Sequence, residues 1–269
     1  HNHESGVILK GTDNIKVGAN FVQANGGNGI SLLDSRAVII GNQISGNGER
    51  GIGIISFSGI IEQNNIFANT LYAMGLDGEN DIHAPSNWWG DGADIEAIIY
   101  DRNDEKQLGR VDYEPPLEKP VPFTWPLAQV PVDTTWEGLI ILPQTIETKM
   151  GSTLTVRPGT TVQFGKGVSL WLYGSFEAVG TPEKRILFTA DQQTDDQSYW
   201  DQITTEKNSA ILKNVDLENA NMALHSHFSN VEVDNCRFSK SESGFRARGG
   251  PISVTQSYFT KNVYGMVFY

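Results

Sequence analysis

The chain has 269 residues and a formal net charge of −12, with 32 Asp and Glu against 20 Lys and Arg. Nucleic acids and anionic membranes are therefore not expected partners, because both carry negative charge themselves. No apolar run approaches the ~18 residues that a membrane-spanning helix needs, and a single cysteine excludes a disulfide framework.

The first part of the chain contains three stretches that superimpose at an offset of 22 residues. Residues one offset apart form coherent columns: Val17, Ile39, Ile61; Asn20, Asn42, Asn64; Val22, Ile44, Ile66; Asn25, Asn47, Asn69. Such self-similarity is the signature of a solenoid. Apolar residues two apart, such as Ile52 and Ile54, predict very short strands separated by turns. The sequence therefore predicts a parallel β-helix rather than a helical or leucine-rich repeat.

The two asparagine columns are predicted to be structural. In a parallel β-helix, residues one period apart lie above one another at a strand spacing of about 4.8 Å. Each side-chain amide can then donate to the carbonyl of the next. Asn also tolerates left-handed backbone, which suits the tight bends between strands.

The repeat pattern stops after Asn87-Trp88-Trp89-Gly90, where we expect one indole ring to plug the β-helix. Residues 93–100 are compatible with a short helix, and a proline-rich segment follows. Proline disfavours both regular helix and central strand. The prolines are Pro115, Pro116, Pro120, Pro122, Pro126 and Pro131. We predict two β-helical blocks, residues 1–90 and 136–269, joined by an insertion over residues 91–135.

The second block resumes the solenoid around Trp136, and residues 151–164 alternate apolar and polar residues around a Pro-Gly turn. Near the end of the chain a second array has an offset of 21 residues. Its columns include Leu212, Val233, Val254; Asn214, Asn235, Gln256; Val215, Cys236, Ser257; Leu224, Phe245, Met266. The inward column of Cys236 predicts a buried thiol. Because the last residues still follow the repeat, we expect the natural chain to be part of a longer protein or assembly.

The Asn, Gly and Ile columns resemble the right-handed parallel β-helix repeats of the pectin-lyase-like superfamily. The phrase Asn87-Trp-Trp-Gly, with residues 95–101 and 109–117, is similar to one that recurs in large bacterial secreted or surface proteins. The resemblance implies an all-β right-handed solenoid at an extracellular or cell-surface location. It implies no single activity, since this scaffold hosts polysaccharide lyases, glycoside hydrolases, epimerases and adhesins.

Catalytic and metal signals are weak. A hydrolase of this superfamily would need clustered carboxylates, and only Asp195-Asp196, in a polar run, matches the expected phrases. A lyase would need stacked Asp for calcium, and no such column occurs. Asp101, Asn103 and Glu105 alternate possible calcium ligands, although the Gly and distal Glu of an EF-hand are missing. We therefore predict no cofactor other than this candidate calcium ion.

The best binding candidates lie in the second array. His225 and His227 are followed one period later by Arg246 and Arg248, and Tyr269 comes one further period on. Their neighbours in sequence fall in inward columns, so these side chains are predicted to face out. Guanidinium groups suit a uronate or sulfated sugar. The alternative is an ordinary solvated face.

Two further features bear on ligands. Trp171 alternates with Leu170 and Leu172, so its ring is predicted to face solvent and could stack on a sugar. His225 and His227 share a face, but no third metal ligand lies near them in sequence.

The sequence favours a non-catalytic extracellular or cell-surface β-helical module that binds an acidic polysaccharide or a surface protein, or that serves as an adhesive element or spacer. The alternative is a polysaccharide lyase or glycoside hydrolase with a scattered active site. A structural filament or matrix component is the third possibility.

Overall fold

A computed structural model describes residues 2–191 and 199–269. The fold is an all-β, right-handed parallel β-solenoid with almost no helix, as the repeats predicted. The chain divides into two compact units, His1–Phe123 and Thr124–Tyr269, called unit 1 and unit 2. Each turn of a solenoid contributes one strand to each of its sheets, and we call that set of strands a rung.

Within its described residues, unit 1 contains thirteen short strands and one turn of 3-10 helix, Glu96–Ile98. The strands are β1 Val7–Lys10, β2 Ile15–Gly18, β3 Phe21–Gln23, β4 Ile30–Leu33, β5 Ser35–Ile40, β6 Gln43–Ser45, β7 Ile52–Ile54, β8 Phe57–Glu62, β9 Asn65–Phe67, β10 Met74–Leu76, β11 Ile82–His83, β12 Ile99–Tyr100 and β13 Val111–Asp112. They form four parallel sheets with the orders β1-β4-β7-β10-β12, β2-β5-β8, β3-β6-β9 and β11-β13.

The register of unit 1 confirms the 22-residue offset. Val17 pairs with Ile39, and Ile39 pairs with Ile61. Ile39 and Ile61 are fully buried, as is Ile44 in the next column. Stacked aliphatic side chains therefore fill the interior of this unit, and no rung buries its apolar residues alone.

Both asparagine columns form hydrogen-bonded ladders, which confirms their predicted structural role. In the first ladder, Nδ2 of Asn42 donates to Oδ1 of Asn64 at 2.9 Å, and Nδ2 of Asn64 donates to Oδ1 of Asn87 at 3.0 Å. The same oxygens also accept backbone N–H groups from the rung before, as Asn42 does from Asn20 at 3.0 Å. The second ladder joins Asn25 to Asn47 and Asn47 to Asn69.

The left-handed bends are displaced by one residue from their predicted place. The residues with positive φ are those immediately before the ladder asparagines: Ala19, Gly41, Gln63 and Ser86, and likewise Ala24, Gly46 and Ala68. The ladder amides must point inward to meet one another, so the sharp turn falls on the preceding residue. In unit 2, by contrast, the column Asn214, Asn235 and Gln256 does occupy the left-handed region.

The segment after Gly90 contributes strands to unit 1. β12 pairs with β10 through Met74 and Ile99, and β13 pairs with β11 through Ile82 and Val111. The predicted helix over residues 93–100 is reduced to the single 3-10 turn. The structure does not show two blocks joined by a Pro-rich insertion, and the boundaries at residues 90 and 135 stay a prediction.

Unit 2 contains longer sheets. Its strands are β15 Gln129–Val130, β16 Thr134–Trp136, β17 Leu139–Leu142, β18 Ile146–Thr148, β19 Thr153–Val156, β20 Thr161–Phe164, β21 Leu170–Leu172, β22 Ser175–Val179, β23 Ile186–Ala190, β24 Trp200–Glu206, β25 Ser209–Lys213, β26 Val215–Glu218, β27 Ala220–His227, β28 Asn230–Asp234, β29 Arg237–Ser239, β30 Ser243–Arg248, β31 Ile252–Thr255, β32 Tyr258–Thr260 and β33 Tyr264–Phe268. β14, Phe123–Thr124, falls at the division between the units.

Three parallel sheets make up unit 2. Their orders are β17-β20-β23-β26-β29-β32, β16-β19-β22-β25-β28-β31 and β15-β18-β21-β24-β27-β30-β33. We call the last of these the site sheet. The interior is more aromatic than that of unit 1: the ring centroids of Phe164 and Trp200 lie 4.4 Å apart, and those of Phe238 and Phe259 lie 4.7 Å apart.

Candidate functional site

The five residues predicted to face out from the second array line one groove on the site sheet. The groove has a volume of about 460 Å³ and is lined by His225, His227, Arg246, Arg248 and Tyr269, which we call the basic strip. Three successive strands supply these side chains: β27, β30 and the residue that follows β33. In the register, His225 lies beside Arg246 and His227 beside Arg248. Residues 21 positions apart are therefore brought to one strand spacing, about 4.8 Å.

Strand alternation explains why the basic strip faces solvent. On β27, Leu224 and Ser226 are fully buried, while His225 and His227 between and after them are partly exposed. On β30, Phe245 and Ala247 occupy the corresponding buried positions. Since successive side chains of a strand point to opposite faces, the apolar interior fixes the orientation of the charged residues.

His225 is held in its neutral form. Its ring packs edge-on against that of His227, with 4.1 Å between ring centroids and an interplanar angle of 74°. Burial lowers the pKa of His225 to about 4, with smaller contributions from the neighbouring charges of His227 and Arg246 and an opposing one from Glu206. At neutral pH this imidazole therefore adds hydrogen-bonding capacity to the groove without adding charge.

His227 has a carboxylate partner that we did not predict. Its Nδ1 lies 3.0 Å from Oε2 of Glu206, and both side chains are largely shielded from solvent. Glu206 is one rung before His227 in the register. The 21-residue offset that identified the arginines would also have found Glu206 if it had been applied toward the N-terminus. The carboxylate fixes the orientation of the His227 ring, and its other oxygen lies 3.7 Å from Nζ of the exposed Lys207 at the edge of the basic strip.

The two arginines are available for an anion. Among the residues that the structure describes, neither Arg246 nor Arg248 has an ion-pair partner. Nε of Arg246 donates to Oγ of Ser243 at 2.9 Å. The two guanidinium carbons lie 5.7 and 5.9 Å from the ring centroids of Tyr264 and Phe228, respectively. These aromatic contacts hold the guanidinium groups in place while leaving their charges uncompensated.

Five other arginines differ in this respect. Each of them contacts a carboxylate, and they are Arg50, Arg102, Arg157, Arg185 and Arg237. On a chain with a net charge of −12, two adjacent guanidinium groups without carboxylates are a local departure from the overall charge.

Trp171 belongs to the same outward face as the basic strip. It pairs with Thr204, and Thr204 pairs with His225, so all three lie in one column of the site sheet. The sequence separation from Trp171 to Thr204 is 33 residues, which a fixed offset of 21 cannot reveal. Trp171 is partly exposed, whereas the other five tryptophans are buried, namely Trp88, Trp89, Trp125, Trp136 and Trp200. The predicted exposure of Trp171 and the predicted burial of an indole at Trp88–Trp89 are confirmed.

The candidate calcium ligands are engaged within the protein. Asp101 is buried, and its two carboxylate oxygens accept the backbone N–H groups of Asn103 and Val111 at 2.8 and 2.9 Å. Glu105 accepts a hydrogen bond from the Tyr100 hydroxyl at 2.8 Å. Within residues 2–191 and 199–269, no group of three or more His, Cys, Asp or Glu is arranged to hold a metal ion. Calcium binding at this loop stays a prediction.

Two other candidates were raised by the sequence. Cys236 is buried as expected, and burial raises the pKa of its thiol to about 11, which makes a reactive thiolate unfavourable. Asp195 and Asp196 lie outside the described residues. In the part of the chain that the structure describes, no helix has the length and apolar character needed to cross a membrane.

Comparison with known proteins agrees with the observed architecture. Residues 1–94 match the family model of a right-handed beta helix region. The resemblance to the pectin-lyase-like superfamily is consistent with that match. No curated protein and no solved structure matches the chain.

Proposed function

We propose that this right-handed parallel β-solenoid is a non-catalytic binding module whose basic strip holds an acidic glycan. The observation that carries the proposal is the pair of guanidinium groups, Arg246 and Arg248, that line one groove without a carboxylate partner among the described residues. Planar guanidinium groups match the geometry of carboxylate and sulfate groups. Tyr269, which is 72% exposed, adds a ring against which a sugar face could pack.

The shape and charge of the groove favour binding over catalysis. Hydrolysis of a glycosidic bond uses two carboxyl groups that flank it. The carboxylate one rung from the histidines is Glu206, and His227 contacts it, while Glu147, in the column of Trp171, lies three rungs from His225. An exposed groove of this kind suits weak, salt-sensitive association, because its charges stay hydrated. Such binding would serve an extracellular or cell-surface module that adheres to glycans or spaces other domains.

One observation supports a lyase as the second candidate. An imidazole oriented by a carboxylate can accept a proton, and the contact between His227 and Glu206 has this form. A lyase that abstracts a proton next to a uronate carboxylate would need such a base close to a cation. Arg248 lies beside His227 in the register. An assay for unsaturated sugar products separates this candidate from simple binding.

Binding of acidic polysaccharides to immobilised parent protein tests the main proposal. The double variant Arg246→Ala, Arg248→Ala should lose most of the affinity, and the parent's affinity should fall as salt rises. The matched control is Arg157→Ala, Arg237→Ala, which removes the same charge from partly exposed arginines elsewhere in unit 2. Equal binding by parent and strip variant, or a loss of similar size in the control, would reject the basic strip as the binding site.

A further inference from the structure

The outward face that carries the basic strip continues over two further rungs. One column runs through Trp171, Thr204, His225 and Arg246, according to the strand register. The neighbouring column contains Glu206, His227 and Arg248. Tyr173, the residue after β21, continues this column, because it follows Leu172 as Glu206 follows Thr205 and Leu172 pairs with Thr205. A ligand lying along these columns would therefore contact, in order, the arginine rung, the histidine rung, the Glu206 rung and the aromatic rung.

The charge along this path is not uniform. The rung of Arg246 and Arg248 is cationic, and the histidine rung is uncharged at His225. Glu206, two rungs from Arg248, is anionic, and Nζ of the exposed Lys207 lies 3.7 Å from its Oε1. This solvated ion pair offsets only part of the negative charge. The arginine rung and the Glu206 rung are two strand spacings apart, or about 10 Å. Acidic groups on neighbouring sugars of one ligand could therefore reach both rungs. A carboxylate or sulfate is attracted at the first position and repelled at the second.

Thr204 does not offset this repulsion. Its side chain is fully buried beneath neighbouring groups, so contacts to a ligand on this rung fall to Glu206. A carboxylate accepts hydrogen bonds, and the hydroxyl groups of an uncharged sugar are suitable donors. The Glu206 rung therefore favours a neutral sugar over an acidic one.

The far end of the path is aromatic. The rings of Trp171 and Tyr173 are nearly parallel, with an interplanar angle of 16° and 6.5 Å between centroids. Both side chains are partly exposed. Two parallel rings on an outward face present an apolar platform to the face of a sugar without requiring any charge on it.

Together these features restrict the ligand. We propose that the glycan runs across the rungs of the site sheet and carries spaced acidic groups: one acidic group binds Arg246 and Arg248, an uncharged sugar lies over Glu206, and a further sugar packs on Trp171 and Tyr173. This inference rests on the proposed function. It adds that a polymer with an acid on every sugar binds less well than one in which acidic and neutral sugars alternate.

The test compares two polymers of similar length with the full chain: hyaluronan oligosaccharides, in which a uronate alternates with a neutral sugar, and oligogalacturonates, in which every sugar carries a carboxylate. The parent should prefer hyaluronan octasaccharide. Glu206→Gln, which preserves a hydrogen bond to His227, should tighten oligogalacturonate binding by about threefold, the scale of one exposed charge interaction. It should leave hyaluronan binding unchanged.

Aromatic variants test the far end of the path. Trp171→Ala and, separately, Tyr173→Ala should weaken binding of hyaluronan octasaccharide by about fivefold. Binding of the disaccharide should not change, because it reaches only the arginine end. Tyr258→Ala removes an exposed ring from another sheet of unit 2 and serves as the control. Circular dichroism at far-ultraviolet wavelengths verifies that each variant keeps the parent's strand content.

The outcomes separate this inference from the proposed function. If the arginine double variant abolishes binding but the parent prefers oligogalacturonate, or the Glu206 and aromatic variants change nothing, the spaced-charge inference is wrong and the binding site stands. If the arginine double variant binds both polymers as the parent does, both proposals are wrong.

Discussion

At the bends of unit 1 and at those of unit 2, different side chains accept hydrogen bonds from inward-pointing backbone N–H groups. In unit 1 the left-handed bends at the two ladders are each followed by an Asn, and the amide bonds of these Asn residues continue from rung to rung. In unit 2 that position is occupied by residues such as Cys236, Ser229 and Ser241. Ser241 accepts the backbone N–H of Ala220 at 3.1 Å, as Asn42 accepts that of Asn20 at 3.0 Å.

The comparison separates two roles of the ladder. The backbone N–H that turns inward at each bend needs an acceptor, because an unpaired buried donor is costly. A hydroxyl meets this need as well as an amide does. Cys236 mimics the donor side of an asparagine: its Sγ contacts the carbonyls of Leu212 and Asp234, as Nδ2 of Asn42 contacts those of Val17 and Ile40. An amide both accepts and reaches the next rung, and among the described residues the ladders that continue over several rungs are those of unit 1.

The largest expected effect is at the centre of a ladder. Asn42→Ala removes the acceptor for both the backbone N–H and the Nδ2 of Asn20, and it leaves Oδ1 of Asn64 without the donor from Asn42. The free energy of unfolding should fall by ~2 to 3 kcal/mol. Urea denaturation measures the loss, and amide hydrogen exchange at Asn20 should accelerate. Asn20→Ala, at an exposed position, is the control and should cost less. A loss at Asn42 no greater than at Asn20 would contradict the ladder account.

A smaller effect is expected at the equivalent bend in unit 2. Ser241→Ala removes the acceptor for the N–H of Ala220 and a donor to the carbonyl of Ser239, at 3.1 and 3.0 Å. One buried N–H is left unpaired, so we expect a loss of ~1 to 2 kcal/mol. The exposed Ser253→Ala, on the outer surface of the same unit, should be neutral. If Ser241→Ala and Asn42→Ala lower the free energy of unfolding equally, continuity of the ladder contributes nothing to stability.

The two units should also differ in how their stability depends on pH, because unit 2 contains the partly buried His225. The pKa of His225 in the folded protein is lowered from 6.5 to about 4. The unfolded chain therefore binds a proton at higher pH than the folded chain does, and stability present above pH 6.5 is lost as the pH falls toward about 4. Glu206, His227 and Arg246 are the charged groups around the ring.

After discounting for solvent screening, His225 should account for ~1 kcal/mol of that loss. His225→Gln has a side chain that stays neutral. Between pH 7 and pH 4.5, its free energy of unfolding should therefore fall by this amount less than that of the parent, as measured by denaturation at both pH values. Since carboxylates also titrate in this range, the difference between the two proteins is the relevant quantity. Identical pH profiles would show that the ring is fully hydrated.

The fold could be predicted wherever the period is constant. Columns such as Val17, Ile39 and Ile61 specify register directly, and the ladder asparagines follow from the same offset. In the segment directly after Gly90 the 22-residue columns do not continue, so the pairing of Ile99 with Met74, 25 residues away, has no counterpart in the sequence pattern. Two-residue strands such as β12 and β13 contain too few buried apolar residues to produce a periodic pattern of their own.

The site was predictable only in part for a related reason. The basic strip lies within the 21-residue array, so its five residues could be placed together before the fold was known. Trp171 could not be added to them, because a longer connection and a register shift after Gln202 interrupt the period. The spacing of a ring from a cation across such a break depends on loop length, which column analysis does not constrain.

The two ladders also limit how such a chain can change its length. Within the ladder region, removing one residue would displace every later amide from the one it contacts and turn the buried face of each following strand to solvent. Removing or inserting 22 residues would leave both rows of amides in register, since Asn20, Asn42 and Asn64 are interchangeable in their contacts. Unit 1 can therefore lengthen or shorten by whole coils through duplication or deletion, while single-residue insertions are confined to its loops.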